Sequence, residues 1–162
     1  MDTDTYHRLI GLLIEGQASY RFIDHAPEGQ TDAASRLRGH AVRQAAKCLV
    51  LMVKFGKKVT KFVLCVVPGD VRVDTARIKQ LYGASYVGFA RTEQAEKLAG
   101  SVAGTVLPFA FHPDLELIVD PALLESETMF FNAARLDRSI ELPTSDYLTL
   151  ARPRLERIIQ TS

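Results

Sequence analysis

Cysteine is scarce: Cys48 and Cys65 are the only two, each lies in an apolar run, and no CxxC spacing joins them. A disulfide framework or redox pair is therefore not expected, and both read as buried free thiols suited to a reducing compartment. An excess of charge of either sign is also missing. Twenty Lys and Arg stand against 19 Asp and Glu, a net charge of +1, so no global field draws the chain to nucleic acid or to membranes. Any polyanion has to be met by a local patch. Long hydrophobic runs are absent too: residues 49–53 and 62–68 fall far short of the roughly 20 residues that span a bilayer. Met1 to Tyr6 carries two aspartates where a leader would be basic and then apolar, so a soluble cytoplasmic protein with no membrane partner is expected. There is no internal repeat or low-complexity segment. With 47% hydrophobic and 24% charged residues, 162 positions suffice for one domain, residues 1–162, with its own core.

Common catalytic signatures are missing as well. His7, His25, His40 and His112 show neither HExxH nor another metal spacing, and no GxSxG elbow supports a serine triad. Phe111-His112-Pro113 reads as a turn. Gly100-x-x-x-Gly104-x-x-x-Pro108 is followed by no Gly-Lys-Ser/Thr and does not fit GxGxxG. Neither a metal nor an organic cofactor is expected.

What the chain does contain is a succession of helical and strand patterns. Tyr6, Leu9, Ile10 and Leu13 recur at helical spacing behind Asp2 and Asp4 and stop at Gly16, which predicts a first helix. Residues 20–23 predict a short strand and 25–29 a loop, and Thr31 is placed as the N-cap of a helix ending near Gly39. The nearly all-apolar runs 47–53 and 62–67 flank Gly56-Lys57-Lys58 and predict a central hairpin. Asp74 should cap a helix that is stapled by Val73 on Ile78 and closed by Gly83. Strands are predicted at 86–90, 115–119, 128–131 and 138–142, with a helix at 92–99. Two helices should end the chain, the last opened by Pro153 and buried through Leu155, Ile158 and Ile159. The sum is an α+β domain with a mixed six- to seven-stranded or barrel-like sheet surrounded by helices.

Between Asp32 and Asp70 no acidic residue occurs, where the average acid content would place about four. Arg36, Arg38, Arg43, Lys47, Lys54, Lys57, Lys58 and Lys61 all fall in that gap. One reading is a solvated hairpin with lysines guarding its edges. The other is a face for nucleic-acid phosphates, with Arg36, Arg43, Lys54, Lys57 and Lys58 as its contacts. Without interleaved aromatics such a face holds backbone rather than reading bases. Lys47 follows Ala45-Ala46 and begins an apolar strand, either as a strand-end guard or as a pocket cation able to grip a phosphate or polarise an ester carbonyl. Gly104 is either a turn-former or the point where a ligand approaches the main chain, with Pro108 stiffening the loop. Asn132, Asp137 and Ser139 cluster on one segment, as turn hydrogen bonders or as contacts to an amino group or ribose hydroxyl.

Four segments together, Ala46 to Leu51, Val67-Pro68-Gly69-Asp70, Gly100 to Pro108 and Asn132 to Leu142, resemble the YbaK and prolyl-tRNA synthetase editing-domain family, most closely its free-standing members. The resemblance runs over nearly the whole chain, from about Tyr20 to the last expected helix. It implies a trans-editing deacylase that hydrolyses the ester between a wrong amino acid and the terminal ribose of a tRNA. The implied partners are the tRNA acceptor stem and, beside it, an aminoacyl-tRNA synthetase. By match to the family, Lys47 is the functional lysine near the acceptor end. Gly104, Thr105, Val106, Leu107 and Pro108 form the GxxxP loop that binds the aminoacyl group, and Asn132, Asp137 or Ser139 completes the pocket. Family members use no metal and no covalent nucleophile, and the ribose hydroxyl of the substrate helps to activate water. Alanine-specific relatives carry histidine near Leu136, and many relatives carry glycine at Ala134. Cysteine-specific relatives carry an aspartate whose register falls between Asp137 and Ser139. The resemblance thus points away from alanine and leaves serine, threonine or a small non-protein amino acid open, on a tRNA such as tRNA-Pro or a related one. A protein of the same fold that binds aminoacyl-tRNA or a small metabolite without turnover is the alternative.

Overall fold

The structure, a computed structural model, describes residues 2–161. The side chains of Asp2 and Thr3 lie outside that description, and with them the expected part of Asp2 in the first turn. In chain order the elements are α1 (Asp2–Glu15), β1 (Arg21–Asp24), α2 (Thr31–Arg38), β2 (Ala46–Phe55), β3 (Val59–Pro68), α3 (Thr75–Tyr82), β4 (Tyr86–Phe89) and α4 (Thr92–Ala99). There follow β5 (Leu115–Val119), β6 (Thr128–Asn132), β7 (Arg138–Pro143), α5 (Thr144–Ala151) and β8 (Arg154–Leu155).

The strands form two sheets. One is antiparallel in the order β1-β7-β6, and the other is mixed in the order β4-β2-β3-β5-β8, with β5 parallel to β3 and to β8. Burial on both faces explains why the hairpin reads as two apolar runs. Val50, Leu64 and Val66 enter the main core with Leu9 and Leu13 of α1 and Phe131 and Ile140 of the smaller sheet. Their neighbours Leu51, Val53, Val63 and Cys65 enter a second core beneath α3 with Ile78. The helix α3 forms as the sequence predicts. Asp74 accepts from Arg77 N at 3.2 Å, Val73 and Ile78 are buried together, and Gly83 takes the left-handed cap at φ 62°. An isolated parallel bridge from Ala45 to Phe130 joins the two sheets where β2 begins. The site described below is lined from both strands just beyond that bridge.

Three local expectations are corrected. The N-cap of α2 is Gln30, with no side-chain cap bond, and Thr31 is the first helical residue. An eighth strand extends the larger sheet, so the described residues form eight strands in two sheets. The second C-terminal helix does not form. Arg152 ends α5 in the left-handed region at φ 46°, and the chain then runs extended along the edge of β5. Asp120 supplies the reason: its buried carboxylate accepts from Ile158 N at 2.7 Å and Ile159 N at 3.2 Å, donors that a helix would have used internally. Leu155 is accordingly exposed, whereas Ile158 is fully buried.

Candidate active site

A cavity of about 430 Å³ opens between the start of β2, the N-terminal end of α2, the loop around Gly104 and the end of β6. Lys47 and Cys48 line it from β2, Thr31 and Asp32 from α2, Gly104 and Val106 from the loop, and Phe131 and Asn132 from β6. Lys47 is the one base and Asp32 the one acid among these lining residues. Gly69, in the turn after β3, packs closely against Thr31 of the cavity wall. A Cβ there would lie 2.5 Å from the Val42 carbonyl oxygen and 2.8 Å from Thr31 Cγ2, so only glycine lets that turn pass beneath α2.

Lys47 is half-buried, and its ammonium donates to the Val71 carbonyl. Burial lowers its pKa from the usual lysine range, the charge of Arg72 adds to that, and Asp70 opposes it. Val71 also lines a second, larger recess of about 640 Å³ together with Arg43, Asp70, Glu125 and Glu127. Lys47 thus lines the first cavity, while the carbonyl that holds its amine belongs to a residue of the second recess. Cys48 Sγ faces the Ala46 carbonyl at 3.6 Å, and burial pushes its thiol far above the usual range.

The glycine loop is braced from behind. Gly104 adopts φ 86°, and a Cβ on it would lie 2.7 Å from Gly29 Cα, so two glycine-bearing loops touch along one wall. Thr105 Oγ1 donates to the Val102 carbonyl at 2.7 Å, Ser101 Oγ to the Thr105 carbonyl at 3.3 Å, and Tyr147 hydroxyl to the Pro108 carbonyl at 2.7 Å. Of the GxxxP residues, Gly104 and Val106 face the cavity, whereas Thr105, Leu107 and Pro108 are buried behind it.

The three polar candidates separate. Asn132 is on the wall, its Nδ2 donating to the Glu28 and Gly104 carbonyls at 2.8 and 2.9 Å. Ser139 is wholly buried one layer behind, against Asn132, Arg38 and His25. Asp137 is at the surface outside the lining, where the Arg135 guanidinium at 3.0 Å holds its carboxyl below the usual range. Its main chain does the local work, since the Asp137 carbonyl accepts from His25 N. Ala134 stands at φ 59°, in the left-handed region that glycine adopts freely, which is the physical ground for the glycine expected there.

In the sequence Arg38 is only one base among eight in the acid-free stretch. In the structure its Nη2 donates to Asn132 Oδ1 at 3.0 Å and its Nε to Ser139 Oγ at 2.7 Å. The signal available was its place at the end of a short helix two residues before His40, which no motif marks. Asp32 at the rim and Gly29 on the wall were equally silent. The five basic candidates divide between two places. Arg36 is on α2, whose N-terminal end lines the cavity, and Arg43 lines the second recess. Lys54, Lys57 and Lys58 lie at the far end of the hairpin. Among the described residues no group of three or more His, Cys, Asp or Glu is placed to hold a metal ion, and no helix is long and apolar enough to cross a membrane.

Two sheets, with a lysine-bearing strand end and a glycine loop lining one cavity, place the protein in the YbaK-like α+β class. The chain belongs to the aminoacyl-tRNA editing domain family, whose model matches residues 25–150. It is 38% identical over 159 residues to the multifunctional Ser/Thr-tRNA deacylase ProXp-y of Escherichia coli (strain K12), covering 98% of this chain and 95% of that protein. A proline–tRNA ligase of Bacillus cereus (strain AH820) is 35% identical over 80 residues, 49% of this chain and 14% of the ligase. Among solved structures, the hypothetical protein APE2540 superposes with a TM-score of 0.83 at 21% identity, covering 94% of this chain and 99% of that one.

Proposed function

We propose that this chain is a trans-editing deacylase that hydrolyses the ester joining a wrongly attached small amino acid to a tRNA, with serine and threonine as its preferred residues. The observation that carries the reading is the shared cavity of Lys47 and Gly104, in a chain whose family is defined by aminoacyl-tRNA editing. The preference for hydroxylated residues rests on the 38% identity to the E. coli protein named for Ser/Thr-tRNA. Prolyl-tRNA synthetase is the proposed source of the error, and tRNA-Pro the proposed carrier, in the compartment where translation runs. A missing or extra methylene is worth only about 1–3 kcal/mol in an apolar pocket, so synthetases release small wrong residues that a second site has to remove.

Hydrolysis needs little from the protein beyond position. Water adds to the carbonyl carbon, the bond from that carbon to the ribose oxygen breaks, and the ribose oxygen takes up a proton. Lys47 offers its ammonium to the ester or to the adjoining phosphate, Asp32 offers a carboxylate to the α-ammonium, and the main chain at Gly104 borders the amino acid. Cys48 stays protonated at neutral pH and is no nucleophile. No metal or cofactor takes part in this reading.

A panel of mischarged tRNAs tests it, with free tRNA measured after incubation with wild type or Lys47→Ala. Rapid release of serine and threonine, lost by about 100-fold or more in a folded Lys47→Ala protein, is the expected result. Tight binding with no turnover on any member of the panel would favour the non-catalytic alternative.

A further inference from the structure

We propose that Arg38, Ser139 and Asn132 act as a positioning clamp that fixes the width of the cavity and thereby its rejection of larger aminoacyl side chains, an inference that rests on the deacylase reading. Asn132 has two amide hydrogens, both engaged, and an oxygen that faces Arg38 and the Ser139 hydroxyl, whose single hydrogen also lies within reach of His25 Nε2 at 2.7 Å. Nδ2 donates to the Glu28 and Gly104 carbonyls at 2.8 and 2.9 Å, while Oδ1 accepts from Arg38 Nη2 at 3.0 Å and Ser139 Oγ at 2.9 Å. Although Asn132 borders the cavity, it has no amide hydrogen left to donate to a substrate. Its work is to staple one carbonyl of each glycine-bearing loop, and those loops are already in van der Waals contact: a Cβ on Gly104 would come within 3.0 Å of the Gly29 carbonyl oxygen.

Arg38 decides which way the staple faces. A guanidinium only donates, so it accepts the amide in one orientation, oxygen toward the charge and both hydrogens toward the loops. Arg38 has no carboxylate partner among the described residues. Burial pushes it down to about 10, which leaves it a cation at neutral pH. Its remaining near neighbour is His40 Nε2 at 3.5 Å, on a ring stacked 3.7 Å from Phe130. Holding a guanidinium among neutral acceptors costs desolvation with no ion pair in return. What it supplies is direction, since a hydroxyl at this place, able to donate or to accept, would tolerate a flipped amide.

The test compares hydrolysis of one tRNA carrying serine and the same tRNA carrying leucine, in wild type, Arg38→Met and Asn132→Asp. Arg38→Met keeps an apolar stem and removes every donor, and Asn132→Asp removes both donors to the loops while pairing with Arg38. With the clamp released, the leucine-to-serine ratio of kcat/KM rises by about tenfold in both variants, because discrimination by pocket size is lost while the chemistry is retained. A fall of equal factor for both esters, tracking a loss of Tm, would reduce the triad to ordinary fold stability and overturn the proposal. Faster serine release by Asn132→Asp would show that this side chain meets the α-ammonium, and would overturn it too. Where Arg38→Met does not fold, Arg38→Lys, which keeps the charge and some of the donors, is expected to raise the ratio by a smaller factor. If wild type cleaves no ester, the deacylase reading fails by itself. Amide hydrogen exchange then decides the clamp: selective acceleration in residues 28–30 and 102–106 of the variants supports it, and uniform or absent acceleration overturns it.

Discussion

At the scale of single residues, the ionisation of Lys47 gives the proposed chemistry a pH dependence. Burial and Arg72 hold its pKa below the ordinary lysine range, Asp70 notwithstanding. For a base whose pKa is depressed, the charged form is present below that value and lost as pH rises through it. If the ammonium is the working form, kcat/KM, corrected for spontaneous ester hydrolysis, declines on an alkaline limb that begins below the range of a free lysine. Lys47→Arg, whose guanidinium does not deprotonate in the accessible range, is expected to lose that limb even where its rate is lower. A pH-rate profile on seryl-tRNA checks both curves, and an unshifted limb in Lys47→Arg would detach the titration from this residue. Lys47 and Gly104 were legible in the sequence because each breaks a local rule, a charge entering an apolar run and a glycine in a loop with a proline behind it. Arg38 broke none, being a base among bases on a polar helix. Its distinction is a partner 94 positions away, a relation no local pattern records.

Among the elements, the central hairpin and α3 were legible because what forms them is local: two-sided burial leaves unbroken apolar runs, and Asp74 caps its own helix. The C-terminal segment was not. Leu155, Ile158 and Ile159 sit at i, i+3 and i+4, which suits a helix, yet the donors of Ile158 and Ile159 go to a carboxylate 38 and 39 positions earlier. Asp120 also accepts from Ala122 N at 2.8 Å, so one buried side chain ties together the end of β5, the turn after it and the last segment. Asp120→Asn keeps the shape but turns a donor toward one of these N–H groups in either orientation. The expected cost is about 2 kcal/mol, read as a fall in Tm of roughly 4–8 °C in a chain of this size. Calorimetry or denaturant unfolding measures it, and an unchanged Tm would mean that apolar contacts alone hold the C-terminal segment.

Taken as a whole, a nearly neutral molecule divides the bases of its acid-free stretch between two separated places. Arg36, Arg43 and Lys47 gather at the cavity end of the hairpin, and Lys54, Lys57 and Lys58 at the other. Seven residues of strand separate Lys47 from Lys54, about 23 Å at the usual rise. An RNA whose 3′ end enters the cavity has the rest of its acceptor arm free to run along the hairpin, and phosphates on that arm are what the far lysines can meet. Interactions made so far from the ester are equal in the ground and transition states, so they contribute to KM and not to kcat. Combined Lys54→Ala, Lys57→Ala and Lys58→Ala substitution is therefore expected to raise KM for full-length mischarged tRNA at low salt with kcat retained. Each phosphate that no longer meets a lysine also takes about 0.7–0.9 from the log–log dependence of affinity on salt, so the slope for the triple variant becomes shallower by about two. A short aminoacylated 3′ fragment, which cannot reach the tip, should be cleaved alike by both proteins. Steady-state kinetics across a salt series reads all three quantities. An unchanged slope would return these lysines to the guarding of a solvated edge and leave recognition to the cavity end alone.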